Sequence, residues 1–151
     1  MKRAVYYALL LLLPLTGGCI SSRHQASTPP VQTIPVDKDQ TWQLVSLRGK
    51  AWNHPTTLVF NPEAGTCRGF AVCNTYFCHY TAKLVSSTSE GDRYELSIKF
   101  EGSGSVGCPD AVMNAEGRYL ALLPKADAML ISAYTLTLYQ RGKEILKFEL
   151  Q

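Results

Sequence analysis

The sequence predicts a domain of the α+β class: a curled, mostly antiparallel β-sheet, small and barrel-like, with one helix packed against it. The segment RYELSIKFE, residues 93–101, alternates strictly between apolar and polar side chains, which is typical of a strand buried on one face. Weaker alternation recurs along the rest of the domain. Only residues 109–123 instead place apolar side chains near the 3.6-residue period of a helix.

The other strands are predicted from shorter alternating segments. They are WQLVSLR from Trp42, TTLVF from Thr56 and YFCHYTAKL from Tyr76, and after the helix AMLISA from Ala128, YTLTLYQ from Tyr134 and EILKFEL from Glu144. Gly142 lies between the last two segments and indicates a hairpin turn. A sheet of this kind hides its edges and its apolar face by closing or by being covered.

The single helix has a sequence signal at each end. Pro109 suits the first helical position, where its missing N–H is not needed. Pro124 disfavours a helical residue before it and therefore indicates the end. The apolar residues between these prolines that recur near the helical period are Val112, Met113, Tyr119, Leu120 and Leu123.

The N-terminus has the pattern of an export signal. Two cations precede an apolar run from Ala4 to Leu15, and small residues then lead to Cys19. This run is too short to cross the hydrocarbon core of a membrane as a retained helix. We therefore assign residues 1–18 to a signal peptide, 19–40 to a lipidated cysteine and a flexible Ser/Thr/Pro-rich tether, and 41–151 to one domain.

The segment LTGGC resembles a bacterial lipobox, in which cleavage precedes an invariant cysteine that then carries a thioether-linked lipid. Leu15 stands one place early and Thr16 takes its slot. The resemblance implies lipidation of Cys19. Ile20 and Ser21 follow without the acidic residue of the usual inner-membrane retention signal. We therefore expect a lipid-anchored protein of the outer membrane whose domain faces the periplasm.

Charge and motif spacing argue against two classes of ligand. The formal charge of +3 falls to +1 without residues 1–18, because two cations lie in the signal. No large positive field and no run of basic residues remains, so we expect no nucleic-acid partner. The segment GSGSVG, residues 102–107, satisfies G-x-G-x-x-G. The strand before it alternates as an antiparallel strand does, so we expect a flexible loop and no nucleotide.

The segment AVCNTYFCHY, residues 71–80, allows three chemical interpretations. A zinc site would use Cys73, Cys78, His79 and Cys108. This spacing fits no common zinc site, and Cys78 and His79 would point to opposite faces of a strand, which also argues against a cysteine–histidine nucleophile. Apart from Cys19, the chain has four cysteines: Cys67, Cys73, Cys78 and Cys108. Four suit two disulfides in an oxidising compartment, and we favour that interpretation.

The remaining polar residues offer no catalytic set. His24 lies in the tether, and His54 stands beside Pro55 in a predicted turn. Trp42 is assigned to the core, whereas Trp52 either packs over a sheet end or is an exposed contact residue. No serine lies in G-x-S-x-G, and the carboxylates form no obvious pair. We expect no enzyme, no cofactor and no metal.

The order of these segments resembles the META domain, the HslJ-like family of bacterial envelope proteins. The match covers Trp42 to Phe148, and the positions that agree are Trp42, Leu44, Gly49, Leu58, Phe60, Gly69, Cys73, Asn74, Tyr76, Tyr80, Cys108, Glu116, Leu120, Leu136 and Leu138. Val72 departs from the family pattern, which has Gly before Cys-Asn. Residues 104–107 also depart from it, because they replace the Thr-Arg-Met-Ala that precedes the second cysteine.

The resemblance implies a small β-rich domain with one helix, secreted or lipid-anchored, linked to envelope stress and outer-membrane integrity and without an established enzymatic activity. The family places partners at the positions of Cys73 and Cys108, which implies a bridge between them and leaves Cys67 and Cys78 for a second.

We therefore expect a non-enzymatic outer-membrane lipoprotein that binds or stabilises envelope components. Its expected partners are the membrane, through the N-terminal lipid, and an envelope protein. One alternative is a pilotin-like accessory lipoprotein of a secretion system, which would present an apolar groove between helix and sheet. Another is an inhibitor of a periplasmic hydrolase with a braced loop at 101–108 or 49–55.

Overall fold

The computed structural model describes residues 34, 36–37 and 39–151, so the predicted signal peptide and Cys19 lie outside the described residues. The strands are β1 Trp42–Leu47, β2 Lys50–Ala51, β3 Thr57–Asn61, β4 Thr66–Ala71, β5 Asn74–Thr88, β6 Gly91–Ser103, β7 Ala128–Ile131, β8 Thr135–Gln140 and β9 Lys143–Leu150. Helix α1 spans Asp110–Leu120 between β6 and β7, and a 3₁₀ turn follows at Leu123–Lys125.

Eight of these strands close into an antiparallel barrel. β1 pairs with β3, the sheet then continues in chain order to β9, and β9 pairs with β1 again. The short β2 pairs only with the end of β1. The structure confirms the predicted α+β class and the small, barrel-like antiparallel sheet with one helix.

Alternation along the strands separates the interior of the barrel from its outer face. On β5 the buried residues are Asn74, Tyr76, Cys78 and Tyr80, and the residues between them are exposed. Tyr94, Leu96 and Ile98 of β6 are buried in the same way. The strict alternation that identified β6 in the sequence therefore arises because every second side chain of the strand points into the core.

Helix α1 contributes one face to the core. Ala115, Glu116 and Tyr119 are its buried residues. The helix ends at Leu120, three residues earlier than predicted, and Pro124 lies inside the 3₁₀ turn. Pro124 ends the helix at Leu120 and not at Leu123. In a continued helix the proline ring would clash with the carbonyl of the residue four positions earlier, which is Leu120. Within the described part of the chain, no helix has the length and hydropathy needed to span a bilayer.

Two predictions from the sequence need correction. The alternation analysis misses β4, because Gly69 interrupts the apolar–polar pattern of TCRGFA. The predicted tether also extends too far, because Ile34 and Val36 are 2% and 8% exposed and belong to the core. Two apolar residues on either side of Pro35 are too few to form a recognisable hydrophobic pattern, so the sequence does not indicate that they are buried. Ile34 and Val36, which lie in the segment assigned to the tether, therefore pack with the domain.

Candidate functional site

The tight turn between β4 and β5 lies at the centre of the site. Ala71 pairs with Asn74, so only Val72 and Cys73 form the loop. Val72 has a φ of 68°, a conformation that is unusual for a β-branched residue and that glycine adopts without penalty. The position at which this chain departs from the family's glycine is thus one where the backbone favours glycine.

A disulfide ties this turn to the segment before the helix. Cys73 is bonded to Cys108, and the two Cα atoms are 6.6 Å apart. The bridge implied by the family resemblance is therefore confirmed. It fixes the loop of residues 104–109, which connects β6 to α1, against the end of the β4–β5 hairpin.

Glu116 attaches the helix to the same turn. Its Oε2 accepts hydrogen bonds from the backbone N–H groups of Cys73 at 3.0 Å and Asn74 at 2.7 Å, and its Oε1 accepts one from the Asn74 side-chain amide at 2.9 Å. Glu116 is only 4% exposed. Burial of a carboxylate is costly unless it is hydrogen-bonded, and three charge-assisted donors offset that cost here.

Asn74 extends this network to the loop. Its Oδ1 accepts a hydrogen bond from the Val106 N–H at 2.8 Å, and its Nδ2 donates to the Val106 carbonyl at 3.3 Å. A Cβ at Gly104 would lie 2.9 Å from Asn74 Oδ1, so a larger residue there would push the amide aside. The segment GSGSVG therefore forms a loop whose backbone is held by Asn74. We call Cys73, Asn74, Val106, Cys108 and Glu116 together the brace.

Two buried tyrosines lie beside the brace. The Tyr76 hydroxyl donates to the Thr57 carbonyl at 2.8 Å, and the Tyr119 hydroxyl lies 2.7 Å from it. Because the one proton of Tyr76 goes to Thr57, Tyr119 is the donor to Tyr76. Burial raises the pKa of both phenols well above 10. A Cβ at Gly69 would lie only 1.9 Å from the Thr57 carbonyl oxygen, so this contact also depends on a glycine.

The other cysteines, Cys67 and Cys78, are buried directly opposite each other on β4 and β5. They are free thiols in the structure, so the predicted second bridge is not formed there. Tyr80 N donates to Gly65 O at 2.9 Å, which makes the cysteine pair, two residues further along, a hydrogen-bonded pair. In such pairs the Cβ atoms are further apart than in the alternate pairs of the ladder, so a bridge requires a small approach of the strands.

The structure does not assemble the residues of the zinc and nucleophile interpretations into one site. Cys73 and Cys108 are bonded to each other. Cys78 faces the interior, whereas His79 lies on the exposed side of β5, as the alternation predicts. Within the described residues no group of three or more His, Cys, Asp or Glu side chains could hold a metal ion.

Trp52 has both of the properties considered for it. Its ring is partly buried against the core, and its Nε1 donates to Thr56 Oγ1 at 2.9 Å. Trp52 is also partly exposed and borders a cleft of about 200 Å³ together with His54 and Arg118. The Arg118 guanidinium carbon lies 5.7 Å from the ring centre.

Comparisons with known proteins give one family model and two solved structures that resemble this chain. The sequence model of the META domain matches residues 35–151. Among solved structures, the chain is similar to an NMR structure of a protein from Burkholderia xenovorans, with a TM-score of 0.54 and 20% identity over 82% of this chain and 96% of that one. A second NMR structure has a TM-score of 0.49 and 21% identity over 75% of this chain and 90% of the other. No curated protein matches the chain.

Proposed function

Because this chain belongs to the META domain family, which supports an envelope-associated role, we propose that it is a non-enzymatic lipoprotein of the outer membrane. Cys19 carries the lipid, and the domain faces the periplasm. There it binds or stabilises other envelope components, in envelope maintenance or the response to envelope stress.

The observation that carries this proposal is that the polar groups of the brace are engaged with one another. Glu116 accepts three hydrogen bonds from the turn, and the Asn74 side chain uses both its oxygen and its nitrogen within the brace. Cys73 and Cys108 are joined. The polar residues shared with the family pattern thus hold a helix and a loop on a barrel. A buried carboxylate whose two oxygens both accept hydrogen bonds from the protein is poorly placed for proton transfer, since a general base must reach its substrate.

The disulfide also supports an exported location. Bridges of this kind persist in oxidising compartments such as the bacterial periplasm and are rare in the cytosol. With Cys73 and Cys108 bonded to each other and Cys67 and Cys78 buried, Cys19 is the cysteine that a lipoprotein would acylate. Several acyl chains on one cysteine would anchor the protein firmly, whereas a single chain binds a membrane only marginally.

A second candidate function, inhibition of a periplasmic hydrolase, is favoured by one specific observation. Val106 is 65% exposed at the tip of a loop whose backbone is held by Asn74 and whose end is fixed by the disulfide. A rigid loop with an exposed apolar residue loses little entropy when it enters a protease-like cleft. The pilotin alternative receives less support, because the cleft beside the end of α1 is lined by four cations as well as apolar residues.

Fractionation of cells tests the leading proposal. Wild-type protein should sediment with the outer membrane on a density gradient. The Cys19→Ser variant should instead be released to the soluble periplasmic fraction or accumulate with its signal attached in the inner membrane. Outer-membrane sedimentation of the variant equal to that of the wild type would refute lipid anchoring at Cys19.

Affinity capture separates the two candidate functions. Periplasmic extract is passed over the wild type, a Val106→Asp variant and, as a matched control, a Tyr134→Asp variant, since Tyr134 is also exposed, at 75%. An inhibitor should capture a hydrolase that only Val106→Asp loses. A binding or stabilising module should retain its envelope partner in the Val106→Asp sample.

A further inference from the structure

Two hairpin turns far apart in the chain carry the same tripeptide, Arg-Gly-Lys. Residues 48–50 are the turn from β1 and the first residue of β2, and residues 141–143 are the turn from β8 and the first residue of β9. Closure of the barrel through β1 and β9 makes the turns neighbours, and the Arg48 N–H donates to the Ile145 carbonyl at 2.8 Å. One cleft, of about 460 Å³, is lined by Arg48, Arg141 and Lys143 together.

The arginines in these turns are not the residues that the turns prefer. Arg48 and Arg141 have φ values of 52° and 50°, and each is followed by a glycine that is also at positive φ. Turns with two such residues strongly favour Asn-Gly, because asparagine tolerates the left-handed region better than arginine does. The backbone therefore gives no reason for arginine at either position, and the long cationic side chain is the feature that both turns share.

The end of the helix adds two further cations to this surface. A second cleft, of about 380 Å³, is lined by Arg48, Lys50, Arg118 and Lys125 around an apolar floor that includes Leu47 and Leu122. Arg118 lies in the last turn of α1, where a cation is favourable by itself, so the argument rests mainly on the two turns. We call Arg48, Lys50, Arg118, Lys125, Arg141 and Lys143 the basic end; all six are exposed.

Charge is strongly segregated between the basic end and the rest of the domain. Residues 41–151 hold eleven Lys and Arg and ten Asp and Glu, a net charge of +1. The basic end holds six of these cations beside two carboxylates, Asp127 and Glu144, which leaves five cations and eight carboxylates elsewhere. Local charge is thus +4 against −3. The ion pairs found in the described chain, Lys83–Glu95 and Lys99–Glu101, both lie on the β5–β6 hairpin.

We infer that the basic end binds the phosphate headgroups of an anionic phospholipid bilayer. Exposed Lys and Arg side chains that project from turns suit a layer of many phosphates, and each contributes to attraction by an anionic surface. Trp52 borders this surface, and a tryptophan among cations above an apolar floor is the composition favoured at membrane interfaces. The inference takes its ligand class from the proposed envelope function, but it does not depend on lipidation of Cys19.

The test uses the isotope-labelled full-length chain on nanodiscs of phosphatidylcholine alone or of phosphatidylcholine mixed with phosphatidylglycerol. Backbone amide signals of residues 48–50 and 141–143 and the indole signal of Trp52 should shift only with phosphatidylglycerol. The shifts should disappear at high salt, because screening shortens the range of the attraction. This result is independent of cell fractionation, so failure here and failure of the anchor are distinguishable.

Two double variants distinguish a loss of lipid binding from a loss of folding. Arg48→Asn with Arg141→Asn gives both turns their preferred residue, so the fold should be retained or stabilised while the shifts are lost. Lys83→Asn with Lys99→Asn removes the same charge from the β5–β6 hairpin and should keep the shifts. Equal shifts in both double variants, or none in the wild type, would overturn the inference. So would equal shifts with inorganic phosphate, which points to a free anion, or stronger competition by an acidic peptide, which points to a protein partner.

Discussion

Glu116 and Asn74, 42 residues apart in the chain, are joined by two hydrogen bonds, one from the Asn74 backbone N–H at 2.7 Å and one from its side chain at 2.9 Å. Replacement Glu116→Ala would leave the Asn74 N–H and one hydrogen of its side-chain amide buried without an acceptor, whereas the Cys73 N–H would keep the Ala71 carbonyl at 2.8 Å. At 1–3 kcal/mol for each unsatisfied group, we expect a loss of about 2 kcal/mol or more in the free energy of unfolding, measured with urea. Glu116→Gln keeps one acceptor oxygen and should lose less.

The matched control for Glu116 is Glu90→Ala, which removes an exposed carboxylate from the turn between β5 and β6. It should change the free energy of unfolding by less than about 0.5 kcal/mol. If Glu116→Ala proved as mild as this control, the brace would not hold the helix on the barrel, and the structural role assigned to Glu116 would be wrong.

Val72 provides a test of backbone strain. At ordinary positions glycine destabilises by about 0.5–1 kcal/mol relative to alanine, because it loses more conformational freedom on folding. At the φ of 68° found here the left-handed conformation costs a residue with a Cβ about 1–2 kcal/mol. Val72→Gly should therefore be more stable than Val72→Ala by about 1 kcal/mol in urea unfolding.

The same pair of substitutions at Val106, in the neighbouring loop, gives the control for Val72. Val106 is not among the residues with positive φ, so its alanine variant should be the more stable of the two. If the alanine variant were the more stable one at both positions, the turn at Val72 would carry no strain that glycine relieves.

The local sequence pattern predicts most of the strands, but it does not predict contacts between residues that are far apart in the chain. RYELSIKFE identifies β6 because each apolar residue in it meets the core, whereas the glycine in TCRGFA hides β4. The partnership of Asn74 with Glu116 has no local signal, although both residues belong to the family pattern. The proximity of Arg48 and Arg141 likewise follows from the pairing of β1 with β9, so net charge alone gives no sign of the basic end.

The buried tyrosines predict loss of stability in alkali. Burial raises the pKa of Tyr119 and Tyr76 above 10 in the folded state, whereas unfolding exposes both phenols to water. Their contribution is fully present below the unfolded pKa of about 10 and is lost as pH rises above it, by about 1.4 kcal/mol per pH unit for each tyrosine. Tyr119→Phe should reduce the slope by one tyrosine's share, measured by urea unfolding at several pH values above 10. An unchanged slope would contradict the assignment.

We predict that Cys67 and Cys78 form a disulfide in exported protein, before the barrel closes around them. The hydrogen bond between the two thiols raises the pKa of Cys67 and lowers that of Cys78, but both thiols are buried inside the closed barrel, where an oxidant does not reach them. Protein exported to the periplasm should therefore show no alkylation of either cysteine when it is denatured without reductant. Protein folded in a reducing cytosol should keep both thiols and resist later oxidation. Two alkylated thiols in the exported protein would show that the second bridge is absent.

The measurement that tests the central claim most directly is mass analysis of the N-terminal peptide of protein extracted from cell membranes. A lipid-anchored envelope module should begin at Cys19, because cleavage precedes the acylated cysteine, and this peptide should carry the mass of its acyl chains. A mature chain that begins at any other residue, or an unmodified Cys19, would contradict the account.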